Sequence, residues 1–189
     1  MYELDHYLEK NFPFNSTSIT VVKECFSSKD LKKGDYFLRE GEYCKKIAYV
    51  EQGAFVYFEY IDVEEKVCDF AFEGDWITHY KGLTQGLPST VNIRALEPAK
   101  IQWIEIENMT ACEQEAPELR TLRLQLVEQY FMQAMDRASS LANFNAEKRY
   151  EKMLAERPEL FNRVPQYHIA SYLGLKPQSL SRIRAKKIK

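Results

Sequence analysis

Val164-Pro-Gln-Tyr-His-Ile-Ala-Ser-Tyr-Leu-Gly-Leu-Lys-Pro-Gln-Ser-Leu-Ser-Arg-Ile-Arg184 decides how this chain is read, because its prolines and its one glycine divide it into two short helices joined by a sharp turn. Pro165 suits a first helical turn, where its missing N–H would be unpaired anyway, and residues 166–173 then place Ile169, Ala170 and Leu173 at helical spacing. Gly174 supplies the left-handed conformation that ends a helix at little steric cost. Pro177 opens a second helix, which turns Leu180 and Ile183 inward and Gln178, Ser181, Arg182 and Lys186 outward. Ala170 is small where two steeply crossed helices must approach closely. The spacing fits the helix-turn-helix unit, whose second helix lies in the DNA major groove.

Charge separates this reading from that of a purely structural helical hairpin. Six of the 26 basic residues and none of the 28 acidic ones fall within residues 176–189, in a chain of net charge −2. Positive charge gathered on one terminal helix is the footprint of a phosphate-binding element. Gln178, Ser181 and Arg182, with Ser179 beside them, are therefore the expected base-facing residues. Arg182 can form a bidentate pair with guanine, and Gln178 can do the same with adenine. Lys176, Arg184, Lys186, Lys187 and Lys189 are expected on phosphates, which position the protein without reading sequence.

Upstream, residues 117–141 contain no glycine and no proline after Pro117. Leu124, Val127, Phe131, Ala134, Ala138 and Leu141 recur at alternating spacings of three and four, as a coiled-coil seam requires. Leu119, Leu122, Leu126 and Tyr130 form a second stripe. One stripe is expected to pack on the chain's own β domain and the seam on a second copy. Asn145 can cap a following helix after the break at residues 143–145.

Between residues 25 and 106 the texture changes to short aromatic and β-branched runs punctuated by Gly34, Gly41, Gly53 and Gly74. Residues 37–38, 47–51, 54–61, 66–72, 90–96 and 100–106 read as strands of an antiparallel sandwich or jelly roll. Residues 2–11 and 15–24 read as short helices, the second capped by Asn15, Ser16 or Thr17. The fold class is α+β: an antiparallel β-roll flanked by helices over residues 1–116, a dimerisation helix over 117–143 and a helix-turn-helix domain over 144–189.

At 45% hydrophobic residues the composition is that of a globular chain. No apolar run approaches the roughly 20 residues of a membrane helix, and the N-terminus lacks a signal-peptide pattern, so a cytoplasmic location without membrane partners is expected. Cys25, Cys44, Cys68 and Cys112 are scattered singly and read as reduced thiols. His6, His79 and His168 are equally dispersed. No metal-ligand cluster, no nucleophile with its base and no cofactor are implied, which weighs against an enzyme.

The ordered combination of motifs resembles the Crp/Fnr family of bacterial transcription regulators. It comprises Leu31-Lys-Lys-Gly-Asp-Tyr-Phe37, Arg39-Glu-Gly41, Ala48-Tyr-Val-Glu-Gln-Gly53, Phe72-Glu-Gly-Asp-Trp76, Arg149-Tyr150 and the helix-turn-helix with Ser179-Leu-Ser-Arg-Ile-Arg184. The resemblance spans nearly the whole chain and implies a homodimer on double-stranded DNA, with RNA polymerase as a further partner. Two departures bear on regulation. Members that bind cyclic nucleotides carry a glutamate for the ribose and an arginine for the phosphate, and here His79 and Ser89 stand at the expected positions. Loss of a bidentate cation for a buried phosphate is worth several kcal/mol, so no response to cyclic AMP is expected. Trp76, His79, Tyr80, Ser89, Thr90 and Asn92 are the residues expected around any pocket for a different effector. The second departure is that the sequence ends without strands for the C-terminal wing that members often carry. A cupin-like metalloenzyme, and a dimeric module that no longer binds DNA, are the alternative readings.

Overall fold

The structure is a computed structural model and describes residues 2–187, with Lys187 described through its backbone alone. The chain forms two compact units, Met1–Glu59 with Phe70–Leu126 and Tyr60–Asp69 with Val127–Lys189.

In the first unit, α1 (Leu4–Asn11) and α2 (Ser16–Cys25) precede the strands. Asn15 caps α2, its side chain accepting the Ser18 N–H at 2.9 Å. Strands β1 (Ser27–Leu31), β2 (Tyr36–Leu38), β3 (Lys46–Gln52), β4 (Phe55–Ile61), β5 (Glu64–Ala71), β6 (Trp76–Ile77), β7 (Asn92–Ala95) and β8 (Ala99–Glu105) build two sheets, with α3 (Tyr80–Gln85) between β6 and β7. Their orders are β1-β8-β3-β6 and β2-β7-β4-β5. Leu31, Ala48, Val50, Ile77 and Ile101 from the first sheet enclose one core with Leu38, Phe55, Ile93 and Ala95 from the second.

The other face of the first sheet is also buried. Ile47, Tyr49, Trp76 and Ile104 pack there with Leu4, Leu8, Ile19 and Val22, and with α4 (Ile106–Glu115) through Met109 and Cys112. The long helix α5 (Glu118–Asn143) begins in this layer by burying Leu119, Leu122 and Leu126. The Glu118 carboxylate accepts the Ser18 hydroxyl at 2.9 Å, so the buried serine beside this joint is satisfied.

Burial on both faces explains why β3 reads as an unbroken apolar run and not as an alternation. β1 is polar and exposed for four of its five residues and is held by its register with β8, Ser27 opposite Trp103 and Leu31 opposite Ala99. Neither β1 nor the two-residue β6 is visible as a strand in the sequence. The other strands lie within a few residues of their expected positions.

The second unit contains the tip of the β4–β5 hairpin, the rest of α5, α6 (Ala146–Glu156), α7 (Leu160–Arg163), α8 (Gln166–Tyr172) and α9 (Pro177–Lys187). Asn145 caps α6 by accepting the Lys148 N–H at 2.9 Å. Its buried apolar side chains include Val67, Tyr150, Met153, Leu160, Val164, Ile169, Ala170, Leu173, Leu180 and Ile183. Along α5, Leu119, Leu122 and Leu126 of the second stripe are covered while its fourth member, Tyr130, is exposed, and Leu124, Phe131, Met132, Met135 and Leu141 are 55%, 62%, 62%, 55% and 44% exposed.

Candidate nucleic-acid interface

The turn between α8 and α9 is built by backbone geometry that its residues dictate. Gly174 has φ +68°, its N–H bonds the Ser171 carbonyl at 2.9 Å, and the Leu175 N–H reaches the Ala170 carbonyl at 2.8 Å. This pair of bonds is a Schellman closure, which needs a left-handed residue at the position after the helix. Gly174→Ala is therefore expected to destabilise the second unit by about 1 kcal/mol, read as a fall in thermal midpoint. Arg149 reinforces the corner from α6, donating to the Leu173 carbonyl at 3.1 Å and to the Phe144 carbonyl at 2.6 Å.

α9 starts where its proline predicts. The Lys176 carbonyl accepts from Ser179 N–H at 2.9 Å and from Leu180 N–H at 3.2 Å, with Pro177 at the first helical position. Ala170 is fully buried where α8 packs on α9, and Leu180 and Ile183 face inward. Gln178, Ser179, Ser181 and Arg182 share the exposed side of the helix, and Lys176 and Lys186 are exposed as well. Arg184 is half-buried. Arg182 has no acidic partner among the described residues, whereas Lys186 is 2.8 Å from Glu147. The side chain of Lys187 and all of Lys189 lie outside what is described. The result is a helix that presents a polar and cationic side.

The residues expected around an effector pocket fall in the first unit and divide among different surroundings. Trp76 lies in the helix-facing core, its ring 6.0 Å from that of Phe26 and 5.3 Å from that of Tyr49. Ser89 is 3% exposed and spends its groups on the neighbouring backbone. Its N–H donates to the Glu42 carbonyl, its carbonyl accepts from Gly41, and its hydroxyl donates to the Val91 carbonyl at 2.8 Å. Asn92 accepts the Glu40 N–H at 3.1 Å, while its amide nitrogen is buried without a partner. Ser89 and Asn92 thus jointly hold the 40–42 turn.

His79 precedes α3, and its Nδ1 is also buried without a partner. Burial, and after it the nearby Lys81, hold the imidazole below its ordinary pKa, so it is neutral at pH 7. A side chain at Gly82 would meet that Nδ1 at 2.6 Å and the Leu87 carbonyl at 3.0 Å, which leaves glycine as the residue that fits. Tyr80 and Thr90 are exposed. Arg94 lies with its guanidinium carbon 4.5 Å from the Phe58 ring centroid. A groove of about 220 Å³ opens beside His79 and Ser89, lined by residues that include Phe37, Glu42, Tyr43, Cys44 and Lys46; Cys44 Sγ accepts the His79 N–H at 3.5 Å and the Glu42 carbonyl accepts the Ser89 N–H at 2.8 Å. Among the described residues no three His, Cys, Asp or Glu side chains gather as a metal site, and no helix is long and apolar enough to cross a membrane.

No protein-family model matches the chain, and no curated protein matches it significantly. Solved structures do. The c-di-GMP-responsive global regulator CLP of Xanthomonas campestris is similar with a TM-score of 0.71 at 17% identity, over 91% of each chain. FixK2 of Bradyrhizobium japonicum gives 0.70 at 18% identity, over 85% of this chain and 83% of that one. A protein from Eubacterium rectale described as a regulator of the Crp/Fnr family gives 0.70 at 16% identity, over 97% of this chain and 88% of that one. At such identities likeness speaks of architecture, and the chain has the Crp/Fnr-type fold.

Proposed function

We propose that the chain is a homodimeric, sequence-specific DNA-binding regulator that does not answer to cyclic AMP. The observation that carries the reading is α9, a helix fixed by a Schellman turn with Gln178, Ser179, Ser181 and Arg182 on its open side. Base contacts in helix-turn-helix proteins come from the N-terminal part of the second helix, which is where these residues sit. Lys176 and Arg184 flank them for phosphates. The Xanthomonas campestris and Eubacterium rectale proteins are described as regulators, which supports the same reading.

Dimerisation is supported by the exposed apolar side of α5. Phe131, Met132 and Met135 are each more than half exposed, and Leu124 and Leu141 extend that side. Val127 is half-buried, and Ala134 and Ala138 are exposed at the small positions of the expected seam. Large side chains left open together mark a surface that a partner covers, and the self-complementary spacing suits a second copy. RNA polymerase remains the further partner that a regulator of this type would meet.

Selection from a pool of random duplexes tests the function. The selected sites are expected to be palindromic, with half-sites about 34 Å apart along the helix axis. A pool that returns no enriched sequence, with the purified dimer intact, would favour the interaction module that does not bind DNA.

Independence from cyclic AMP is supported by Ser89 and His79, which offer no cation for a phosphate, and by the hydrogen bonds that already occupy Ser89. Titration calorimetry with cyclic AMP is expected to show no heat of binding up to millimolar ligand. A Kd near 1 μM, about −8.2 kcal/mol, would overturn this part of the reading.

A further inference from the structure

β5 is the edge strand of its sheet, and an edge strand leaves a row of N–H and C=O groups open. Within the second unit those groups are met by side chains of the helices. The Ser171 hydroxyl on α8 accepts the Val67 N–H at 2.9 Å and donates to the Glu65 carbonyl at 3.2 Å. These are the two groups that a neighbouring strand would engage, so one serine stands in for a strand residue. Arg137 on α5 donates to the Val67 carbonyl at 3.4 Å and to the Tyr172 carbonyl at 3.3 Å, with its guanidinium carbon 3.8 Å from the Tyr172 ring centroid.

Side-chain pairs extend the contact at both ends. His168 Nε2, on a ring that is 1% exposed, lies 3.1 Å from Glu65. Arg157 lies 3.2 Å from Asp69. Residues 65, 67 and 69 are thus gripped in succession by α8, α5 and the end of α6. The hairpin turn itself is tight, with Asp62 at φ 49° and Val63 at φ 63°. Val63 is 95% exposed, so a β-branched residue accepts an unfavourable conformation with no packing of its own in return. The turn's geometry, and not the burial of its tip, sets where Glu65 and Val67 fall.

We propose that residues 60–69 are a strap that holds α8, and through it the reading helix α9, in place within the second unit. β5 runs on from Asp69 to Ala71, which is buried in the core between the sheets. A shift of residues 65–69 is delivered to α8 through Ser171, His168 and Arg137. The consequence for DNA rests on the function proposed above; the strap itself does not.

Backbone amide exchange by NMR on the full chain, with Ser171→Val and Ser171→Thr, tests this. Valine and threonine have nearly the same shape, and threonine alone keeps the hydroxyl. Ser171→Val is expected to raise exchange at Val67 and across residues 168–173 by about tenfold, and Ser171→Thr to restore the wild-type rates. Affinity for a selected DNA site is expected to fall about fivefold in the valine variant and to recover in the threonine variant. Equal exchange in the two variants, or a rise at Val67 that leaves residues 168–173 unchanged, would overturn the strap. If the wild-type chain binds no DNA, the proposed function fails while the exchange result still decides the strap. Should Ser171→Val fail to fold, Asp69→Asn loosens the Arg157 end of the grip, and unchanged exchange at the same amides in that variant overturns the proposal.

Discussion

Replacing Leu124 and Phe131 together by glutamate is expected to yield monomers. The two residues lie seven apart on one side of α5 and are 55% and 62% exposed. The substitutions leave the chain's own packing intact, because Leu119, Leu122 and Leu126 carry the contact with the β-roll. Four carboxylates brought together across a two-fold axis would be desolvated without partners, which no apolar gain could offset. Circular dichroism is expected to be unchanged while light scattering at micromolar concentration gives half the mass. Separate reading heads lose the benefit of binding two half-sites at once, so DNA affinity is expected to fall by about 10² or more. A variant that remains dimeric would place the interface on another surface.

Arg182→Ala is expected to have the second largest effect, and its signature is selectivity. Arg182 is exposed, without an acidic partner among the described residues, and sits one turn into α9. A bidentate arginine–guanine pair is worth about 1–3 kcal/mol of discrimination per base, and a dimer makes two such pairs. Competition binding is expected to show preference lost at one position in each half-site, with random-sequence affinity little changed. Lys176→Ala is expected to do the reverse, weakening all sequences alike and reducing the salt dependence by about one phosphate contact per half-site. If Arg182→Ala lowers specific and random binding by the same factor, it contacts phosphate and not base.

The parts of the fold legible in the sequence are those in which local backbone chemistry leaves little choice. Gly174 ends α8 and Pro177 takes the first position of α9, while Pro165, expected in the first turn, stands one residue earlier at the N-cap of α8; Asn15 and Asn145 cap helices as their side chains allow. The two stripes on α5 are legible because helical periodicity separates a covered side from an open one. β1 escapes because its Ser27-Ser-Lys-Asp-Leu31 stretch is exposed and owes its form to pairing with β8. The strap escapes for a different reason. Glu65 with His168 and Val67 with Ser171 are more than 100 residues apart, and single side-chain bonds of this kind leave no pattern in either segment. The residues grouped around an effector pocket share one stretch of sequence, yet Trp76 turns into the helix-facing core while Ser89 and Asn92 turn to the 40–42 turn. Strand alternation at β6, only two residues long, was too brief to show which way each side chain would face.

A dimer that reads DNA sequence through α9 should tell a palindrome from its scrambled form. Fluorescence anisotropy of the purified chain, on a selected palindrome and on the same duplex with its half-sites scrambled, tests it most directly. Two chains per duplex and at least about 10³-fold tighter binding to the palindrome at physiological salt are expected. Equal affinity for the two duplexes, or one chain bound per palindrome, would contradict it.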